Sequence, residues 1–227
     1  MSNGNHRKTS LTAGILYLLT FASIPSLAFF YVQVKGANYI LGSGPDTSAI
    51  IGGILEIVVA LASIGTAVVL FPMLKKQNEG LALGLVASRV LEAATIFLGV
   101  AFILSVVTLR QEGAGAGALG TSHILVLLYD RIFLLGQSFL PAVNDLLLGF
   151  LLLKSGLVPR RLSMLGIAGG PILIAGYFAI MFGLIGQHAP VAGLFALPVA
   201  LFEFLLGVWL VVKGFNPKAV TVLESKA

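Results

Sequence analysis

Seven charged side chains lie within long apolar stretches of the sequence, and five of them are acids. A charge in the hydrocarbon of a membrane is costly unless it is paired, hydrated or neutralised by a proton. Two bases can neutralise two of the acids, which leaves about three carboxyl groups to hold a proton, water or a cation. The seven residues are the acids Glu56, Glu92, Asp130, Asp145 and Glu203 and the bases Arg89 and Arg131.

The densest group of polar residues recurs at seven-residue steps. One series is Asp130, Gln137 and Asn144, and a second series of Arg131, Ser138 and Asp145 follows one residue behind. Seven residues are nearly two helical turns, so each series lines up along one side of a helix. Because these groups cannot all face lipid, we expect the stripe to face the bundle interior, either as contacts between helices or as the lining of an aqueous or ligand-binding cavity.

A second polar group is expected near the middle of the membrane. Arg89 and Glu92 are three residues apart, a spacing that places them together on a helix, either as a structural ion pair or around a shared partner. Glu203 and Gln137 fall at a similar depth in their own apolar stretches. We therefore predict that Glu92, Gln137 and Glu203 meet in one layer with Arg89.

Three further charged residues are expected closer to the outer surface. Glu56 lies a few residues inside its apolar stretch, at the depth of Asp130 and Arg131. A contact with the guanidinium of Arg131 would neutralise either acid. The predicted ligand-binding residues are these three together with Arg89, Glu92, Gln137, Asn144, Asp145 and Glu203.

Six apolar segments are long enough to cross roughly 30 Å of hydrocarbon as helices. Charged residues make up only 10% of the chain, against about 25% in soluble domains, and the mean hydropathy is +1.03. The sequence thus predicts an all-α, polytopic transmembrane bundle in which residues 1–227 form a single six-helix membrane domain. The predicted spans are residues 11–34, 50–74, 81–107, 123–153, 162–185 and 191–212.

Lysine and arginine residues outside the predicted spans are unequally divided between the two membrane sides. Ten lie on the side that holds both termini, and only Lys35 and Arg110 lie on the other. The positive-inside rule therefore predicts that both termini are cytoplasmic. The net charge of +5 has the same origin, so it does not indicate a nucleic-acid partner. The two longer outer loops, residues 35–49 and 108–122, are rich in glycine and are predicted to be flexible connectors.

Chemistry that depends on imidazole or thiolate is not supported by the sequence. The chain has no cysteine, and His6, His123 and His188 all lie at or outside the predicted membrane edges. No histidine pair therefore has ligand spacing on a helix, and serines in the spans lack a buried histidine base. We expect no metal site, no cofactor and no enzymatic activity, with an intramembrane hydrolase or transferase that uses carboxylates alone as one alternative.

Five sequence motifs occur along most of the chain in a characteristic order. They are AGILYLL at residues 13–19, SRVLEA at 88–93, YDRIFLLG at 129–136, NDLLLGFLLLKSGLVPR at 144–160 and LFEFLLGVWLVVKGFNP at 201–217. Together they resemble the bacterial membrane family catalogued as domain of unknown function 4386. The resemblance implies six helices and a location in the bacterial cytoplasmic membrane. It implies no activity, because the family has no assigned biochemical function.

The surplus of acids favours a protein that binds or transports a proton, a cation or a small cationic solute through its central polar layer. The alternative is a membrane interaction, scaffold or sensor subunit, in which the same polar residues are contacts between helices. The expected partners are the lipid bilayer, a small cation or proton, and either a second copy of the chain or another membrane protein. The small size of the chain favours an oligomer for any transport role.

Overall fold

The structure, a computed structural model, describes residues 3–225, and no strand occurs among them. Six helical stretches are long and apolar enough to cross a membrane, which confirms the prediction of an all-α chain with six such helices. The α-helices are α1 (Asn3–Leu19), α2 (Thr47–Leu74), α3 (Glu79–Gln111), α4 (Leu119–Leu134), α5 (Leu140–Ser155), α6 (Arg160–Met181), α7 (Pro190–Val212) and α8 (Pro217–Glu224).

Helices that follow one another in sequence pack side by side, and the first span closes the bundle against the last. α2 packs against α3, α5 against α6, and α6 against α7, while α1 lies between α2 and α7. The approach of α1 to α7 is close, because a Cβ at Gly14 would lie 2.7 Å from the carbonyl oxygen of Gly207. Small residues permit such backbone contacts between membrane helices. α3 packs against α2, α4 and α5 and therefore occupies the middle of the bundle.

The first span is irregular in its second half. After α1 the backbone makes a 3₁₀ turn at Thr20–Ser23 and a π-helical turn at Ser26–Phe30. Pro25 lies between the two turns and has no N–H to donate to the helical ladder, which explains why regular α-helix does not continue. The hydroxyl of Ser26 donates to the carbonyl oxygen of Gly52 at 3.0 Å, so the irregular segment is held against α2. The helical stretch ends at Phe30, before the predicted end at residue 34.

The fourth span consists of α4 and α5, joined by a π-helical turn at Leu135–Phe139. A π turn holds one more residue than an α turn, so it shifts the direction of all later side chains by about 100° relative to an unbroken helix. The seven-residue register is therefore lost between α4 and α5. The prediction that both polar series share one interior face is wrong for Arg131, whose side chain is exposed.

The first outer loop packs onto the bundle, and the prediction that it is a flexible connector is wrong. Tyr39 is buried, and the guanidinium carbon of Arg110 lies 4.0 Å from the centroid of its ring. Arg110 donates to the carbonyl oxygen of Gly44 at 2.5 Å and also to Asp46. Burial acts to raise the pKa of Asp46, but hydrogen bonds from Tyr39 and Gln111 and the charge of Arg110 outweigh it and hold the pKa below its usual value.

The two ends of the described chain meet at the opposite face of the bundle. The guanidinium of Arg7 donates to the carbonyl oxygens of Leu210 and Val211, at 3.1 and 2.6 Å, and so satisfies the last turn of α7. His6 Nε2 lies 3.0 Å from Glu224 Oε1, which connects α1 to α8. The same face therefore carries the start of α1 and the end of α7.

Candidate functional site

A buried cluster of polar residues surrounds Arg89 in the middle of the bundle. The guanidinium donates to Glu92 Oε2 at 3.0 Å and to Glu203 Oε1 at 2.5 Å. Its Nη2 also lies 3.5 Å from the hydroxyl of Tyr17, which accepts. The amide of Asn144 donates to Glu92 Oε2 at 2.7 Å. Residues of α1, α3 and α7 thus meet at one guanidinium, and α5 joins them through the bond of Asn144 to Glu92. The predicted meeting of Arg89, Glu92 and Glu203 is found in the structure.

Asp145 completes this group, which we call the Arg89 cluster: Tyr17, Arg89, Glu92, Asn144, Asp145 and Glu203. Asp145 interacts electrostatically with Glu203, Arg89 and Glu92. Its side chain is fully buried, and neither carboxyl oxygen has a hydrogen-bond partner among residues 3–225. Arg89 Nε and Asn144 Oδ1 also lack partners within the described chain. The cluster therefore combines one guanidinium with three carboxyl groups and leaves several polar atoms unsatisfied.

The charge of this cluster does not balance if every acid is ionised. One positive charge would face three negative charges, which gives a formal charge of −2. An unpaired carboxylate in a protein interior costs several kcal/mol, so bound protons, water or a cation must compensate the excess. Buried polar atoms without partners are rare in folded proteins, and such atoms mark places where water or a ligand binds. The excess of carboxyl groups and the unpaired polar atoms make the Arg89 cluster a candidate binding site.

A cavity of about 280 Å³ opens beside the Arg89 cluster. Arg89, Glu92 and Glu203 form its polar wall together with Gln137, while the remaining walls are largely apolar. Its volume is close to the lower limit of small-molecule pockets, roughly 300 Å³. The 3₁₀ turn of the first span and the π turn of the fourth span both border the cavity. Irregular backbone at membrane depth is tolerated where it lines such a space.

Two carboxyl oxygens on the cavity wall have no partner within the described residues. Glu92 accepts both of its hydrogen bonds at Oε2, and Glu203 accepts its bond at Oε1. Glu92 Oε1 and Glu203 Oε2 are therefore free, and neither is among the fully enclosed unpartnered atoms. The side chains are 6% and 12% exposed, respectively. These two oxygens are available to bind a proton or a cationic group in the cavity.

A second acidic group, the Glu56 cluster, contains Tyr31, Glu56, Tyr129 and Gln137. Glu56 is fully buried and accepts three hydrogen bonds, from the hydroxyls of Tyr31 and Tyr129 at 3.0 Å each and from Gln137 Nε2 at 3.1 Å. The two tyrosine rings pack edge to face, with centroids 5.4 Å apart. No cation donates to Glu56 within residues 3–225. Gln137, which was predicted to join Glu92 and Glu203, instead bonds to Glu56 and only lines the cavity beside them.

The pairing predicted for Arg131 is wrong. Asp130 accepts from Lys35 Nζ at 2.6 Å, and His188 Nε2 lies 3.7 Å from its other oxygen. The guanidinium of Arg131 donates instead to Gln187 Oε1 at 2.6 Å. Arg131 points away from the interior because it lies one residue beyond Asp130 on α4, about 100° around the helix. The loop cation Lys35 therefore neutralises Asp130, and Arg131 contacts neither Glu56 nor the carboxyl group of Asp130.

The residues that sequence reasoning missed are Lys35, Tyr31 and Tyr129. Lys35 was counted only as a loop charge, although a cation just beyond one span can reach an acid near the end of another. Tyr129 directly precedes Asp130, and Tyr31 lies within the predicted first span, residues 11–34. A tyrosine in an apolar span carries a hydroxyl that needs a partner, and this was the available signal. In the part of the chain that the structure describes, no group of three or more His, Asp or Glu side chains is arranged to hold a metal ion.

Comparison with known proteins gives one match. The family model described as Domain of unknown function (DUF4386) matches residues 12–214. This range contains every residue of the Arg89 cluster and of the Glu56 cluster, whereas α8 lies outside it. No curated protein and no solved structure matches the chain.

Proposed function

The chain belongs to the DUF4386 family, a domain of unknown function, and from this premise we propose that it binds a proton, a cation or a small cationic solute within the membrane and moves it across. Family membership names no ligand. The observation that supports this function is the Arg89 cluster, where one guanidinium faces three carboxyl groups beside a cavity of about 280 Å³.

Electrostatics favours a cationic ligand at this place. Charges interact strongly in a medium of low dielectric constant, so an uncompensated carboxylate in the bundle attracts a cation or retains a proton. When the acids are ionised, the free oxygens Glu92 Oε1 and Glu203 Oε2 only accept hydrogen bonds, so they suit an ammonium or guanidinium group. Ligand binding at Glu203 would weaken the ion pair between Glu203 and Arg89 and so affect Glu92, because the guanidinium bridges the two acids. The apolar walls would contact the uncharged part of a small organic cation.

The same proposal places the protein in the bacterial cytoplasmic membrane with both termini on the cytoplasmic side. Ten lysine and arginine residues on the side of the termini against two on the other support this orientation by the positive-inside rule. We propose no enzymatic step, because the histidines lie away from the Arg89 cluster. The chain acts as one membrane domain, and a transport role favours an oligomer.

Neutral substitution of the cavity acids tests this function. We expect Glu203→Gln to weaken the binding of methylammonium and guanidinium at least tenfold, because it removes one ionised acceptor on the cavity wall. Isothermal titration calorimetry on protein in lipid nanodiscs measures this affinity, and a pH-sensitive dye inside proteoliposomes measures proton flux. Glu112→Gln is the matched control, since Glu112 is an exposed acid at the end of α3.

Three results would contradict the proposed function. One is unchanged binding and flux in folded Glu203→Gln and Glu92→Gln variants. Another is an absence of both cation binding and proton flux in the unmodified protein. A loss that appears equally in Glu112→Gln would point to surface charge and would also count against the cavity.

The second candidate is an interaction, scaffold or sensor subunit. The Glu56 cluster favours this second function, because all three donors around Glu56 have their hydrogen bonds within the protein. Such bonds are typical of contacts between membrane helices. In this case Glu203→Gln would lower the free energy of unfolding and change no ligand affinity. Crosslinking in cells followed by affinity purification would then recover a reproducible membrane-protein partner.

A further inference from the structure

An apolar groove of about 620 Å³ runs between α6 and α7 at the end of the bundle where α7 terminates. We call it the α6–α7 groove. α7 contributes Leu205, Val208, Trp209 and Val212, whose spacing places them on one helix face. From Leu205 to the last turn of α7 the groove extends about 12 Å along the helix axis, given a rise of about 1.5 Å per residue. Its length and apolar lining match a hydrocarbon chain lying parallel to the helices.

The mouth of the groove is basic. Arg161 and Lys213 line it, and neither side chain has an ion pair or hydrogen bond with another described residue. Both residues are exposed. A neighbouring cavity of about 320 Å³ shares Trp209 and Lys213 with the groove and extends to Asn216, the residue that caps the start of α8. Among residues 3–225, no aspartate or glutamate lines either space, so none of their carboxylates compensates the positive charges there.

Trp209 provides an independent sign of a missing polar partner. Its indole Nε1 is buried and has no hydrogen-bond acceptor among residues 3–225. A buried indole N–H usually has a partner, and tryptophan at a membrane interface usually presents this group to the polar headgroups. Trp209 borders both the apolar groove and the neighbouring cavity, beside Lys213. Its position therefore marks this end of the groove as the end at the membrane interface.

We propose that the α6–α7 groove binds one anionic phospholipid of the surrounding bilayer, with an acyl chain in the groove against Trp209 and the phosphate at Arg161 and Lys213. Basic pockets between membrane helices at headgroup depth are suited to such lipids. A second copy of the chain is a poor occupant, because a symmetric contact through this face would bring its two uncompensated cations against those of the partner. This site is separate from the Arg89 cluster and does not depend on the proposed function.

The single tryptophan of the chain makes the site directly observable. Trp209 is the only source of tryptophan fluorescence in the full-length protein. We reconstitute the protein in phosphatidylcholine vesicles that contain either dibrominated phosphatidylglycerol or dibrominated phosphatidylcholine at the same low mole fraction, and we measure quenching. Two cationic partners predict that the anionic lipid occupies the groove with about tenfold preference over the zwitterionic lipid.

Charge variants separate this site from general surface attraction. In the double variant Arg161→Gln with Lys213→Gln, the two brominated lipids are expected to quench Trp209 fluorescence equally. The control Lys75→Gln with Lys76→Gln removes two charges at the end of α2, away from the groove, and should keep the tenfold preference. If the double variant does not fold, the single variants Arg161→Gln and Lys213→Gln are each expected to lose about threefold of the preference.

Three results would overturn the proposal. The first is equal quenching by the two lipids in the unmodified protein. The second is a preference that survives in the groove variant or disappears in the Lys75 and Lys76 control. The third is a lack of quenching by either lipid together with efficient disulfide crosslinking of a Val208→Cys variant, which would show that a second copy covers the groove. The chain has no native cysteine, so this crosslink has no background.

Discussion

The bundle contains two buried acidic clusters that use similar side chains in different ways. Glu56 is surrounded by three neutral donors and has hydrogen bonds at both of its carboxyl oxygens. The Arg89 cluster contains a full positive charge, yet three of its members keep buried polar atoms without a partner among the described residues. The cavity of about 280 Å³ lies at the Arg89 cluster, and Gln137 lines this cavity while it donates to Glu56.

This difference is the basis for our proposal that the Glu56 cluster is structural and that the Arg89 cluster binds the ligand. A fully satisfied polar network makes a membrane bundle specific, because breaking any member leaves an unpaired group in the interior. A partly satisfied network beside a cavity has polar atoms that can still bind protons, water or a cation. We therefore expect substitutions in the Glu56 cluster to affect stability alone, and substitutions of Arg89, Glu92 or Glu203 to affect both stability and ligand binding.

The largest effect is expected from removing the central cation. Arg89→Met should lower the free energy of unfolding by about 3–5 kcal/mol, because Glu92 and Glu203 lose their buried partner. Unfolding by sodium dodecyl sulfate in mixed micelles measures the change. Adding Glu92→Gln and Glu203→Gln to the same chain should recover most of the loss. A loss below about 1 kcal/mol in Arg89→Met would mean that both acids are already neutral.

A smaller effect is expected in the Glu56 cluster. Glu56→Gln should cost about 1.5–3 kcal/mol, because the amide cannot accept from all three donors as a carboxylate does. Cation affinity measured by calorimetry should stay unchanged, in contrast to Glu203→Gln. Tyr129→Phe is a matched test, since it removes one donor and leaves the carboxyl group in place. Weaker cation binding in Glu56→Gln would show that the Glu56 cluster also affects ligand binding, which contradicts the difference proposed between the two clusters.

The smallest effect is expected at Asp145. Asp145→Asn should change the free energy of unfolding by less than about 1 kcal/mol, because the carboxyl group makes no hydrogen bond that the amide would lose. Infrared spectroscopy should show that the variant lacks one band of a protonated, buried carboxyl group. A loss above about 3 kcal/mol would instead indicate that ionised Asp145 is a needed partner of Arg89.

Much of the central site could be predicted from sequence because its signals are local. The spacing of Arg89 and Glu92 on one helix, and the similar depth of Glu203 on another, placed all three in one layer, where the structure has them. The partners of Gln137 and Arg131 were predicted wrongly. Their directions depend on rotation about the helix axis, and the π turn at Leu135–Phe139 changes that rotation within the span.

The sequence by itself determined the six apolar helices and the excess of acids among them, because span length and hydropathy are properties of each segment alone. Only the tertiary structure decided which donor each acid receives. Lys35 reaches Asp130 from a loop 95 residues away in the chain, and two tyrosines from separate segments meet at Glu56. Such pairings depend on relative depth and rotation of packed helices, and no single segment contains that information.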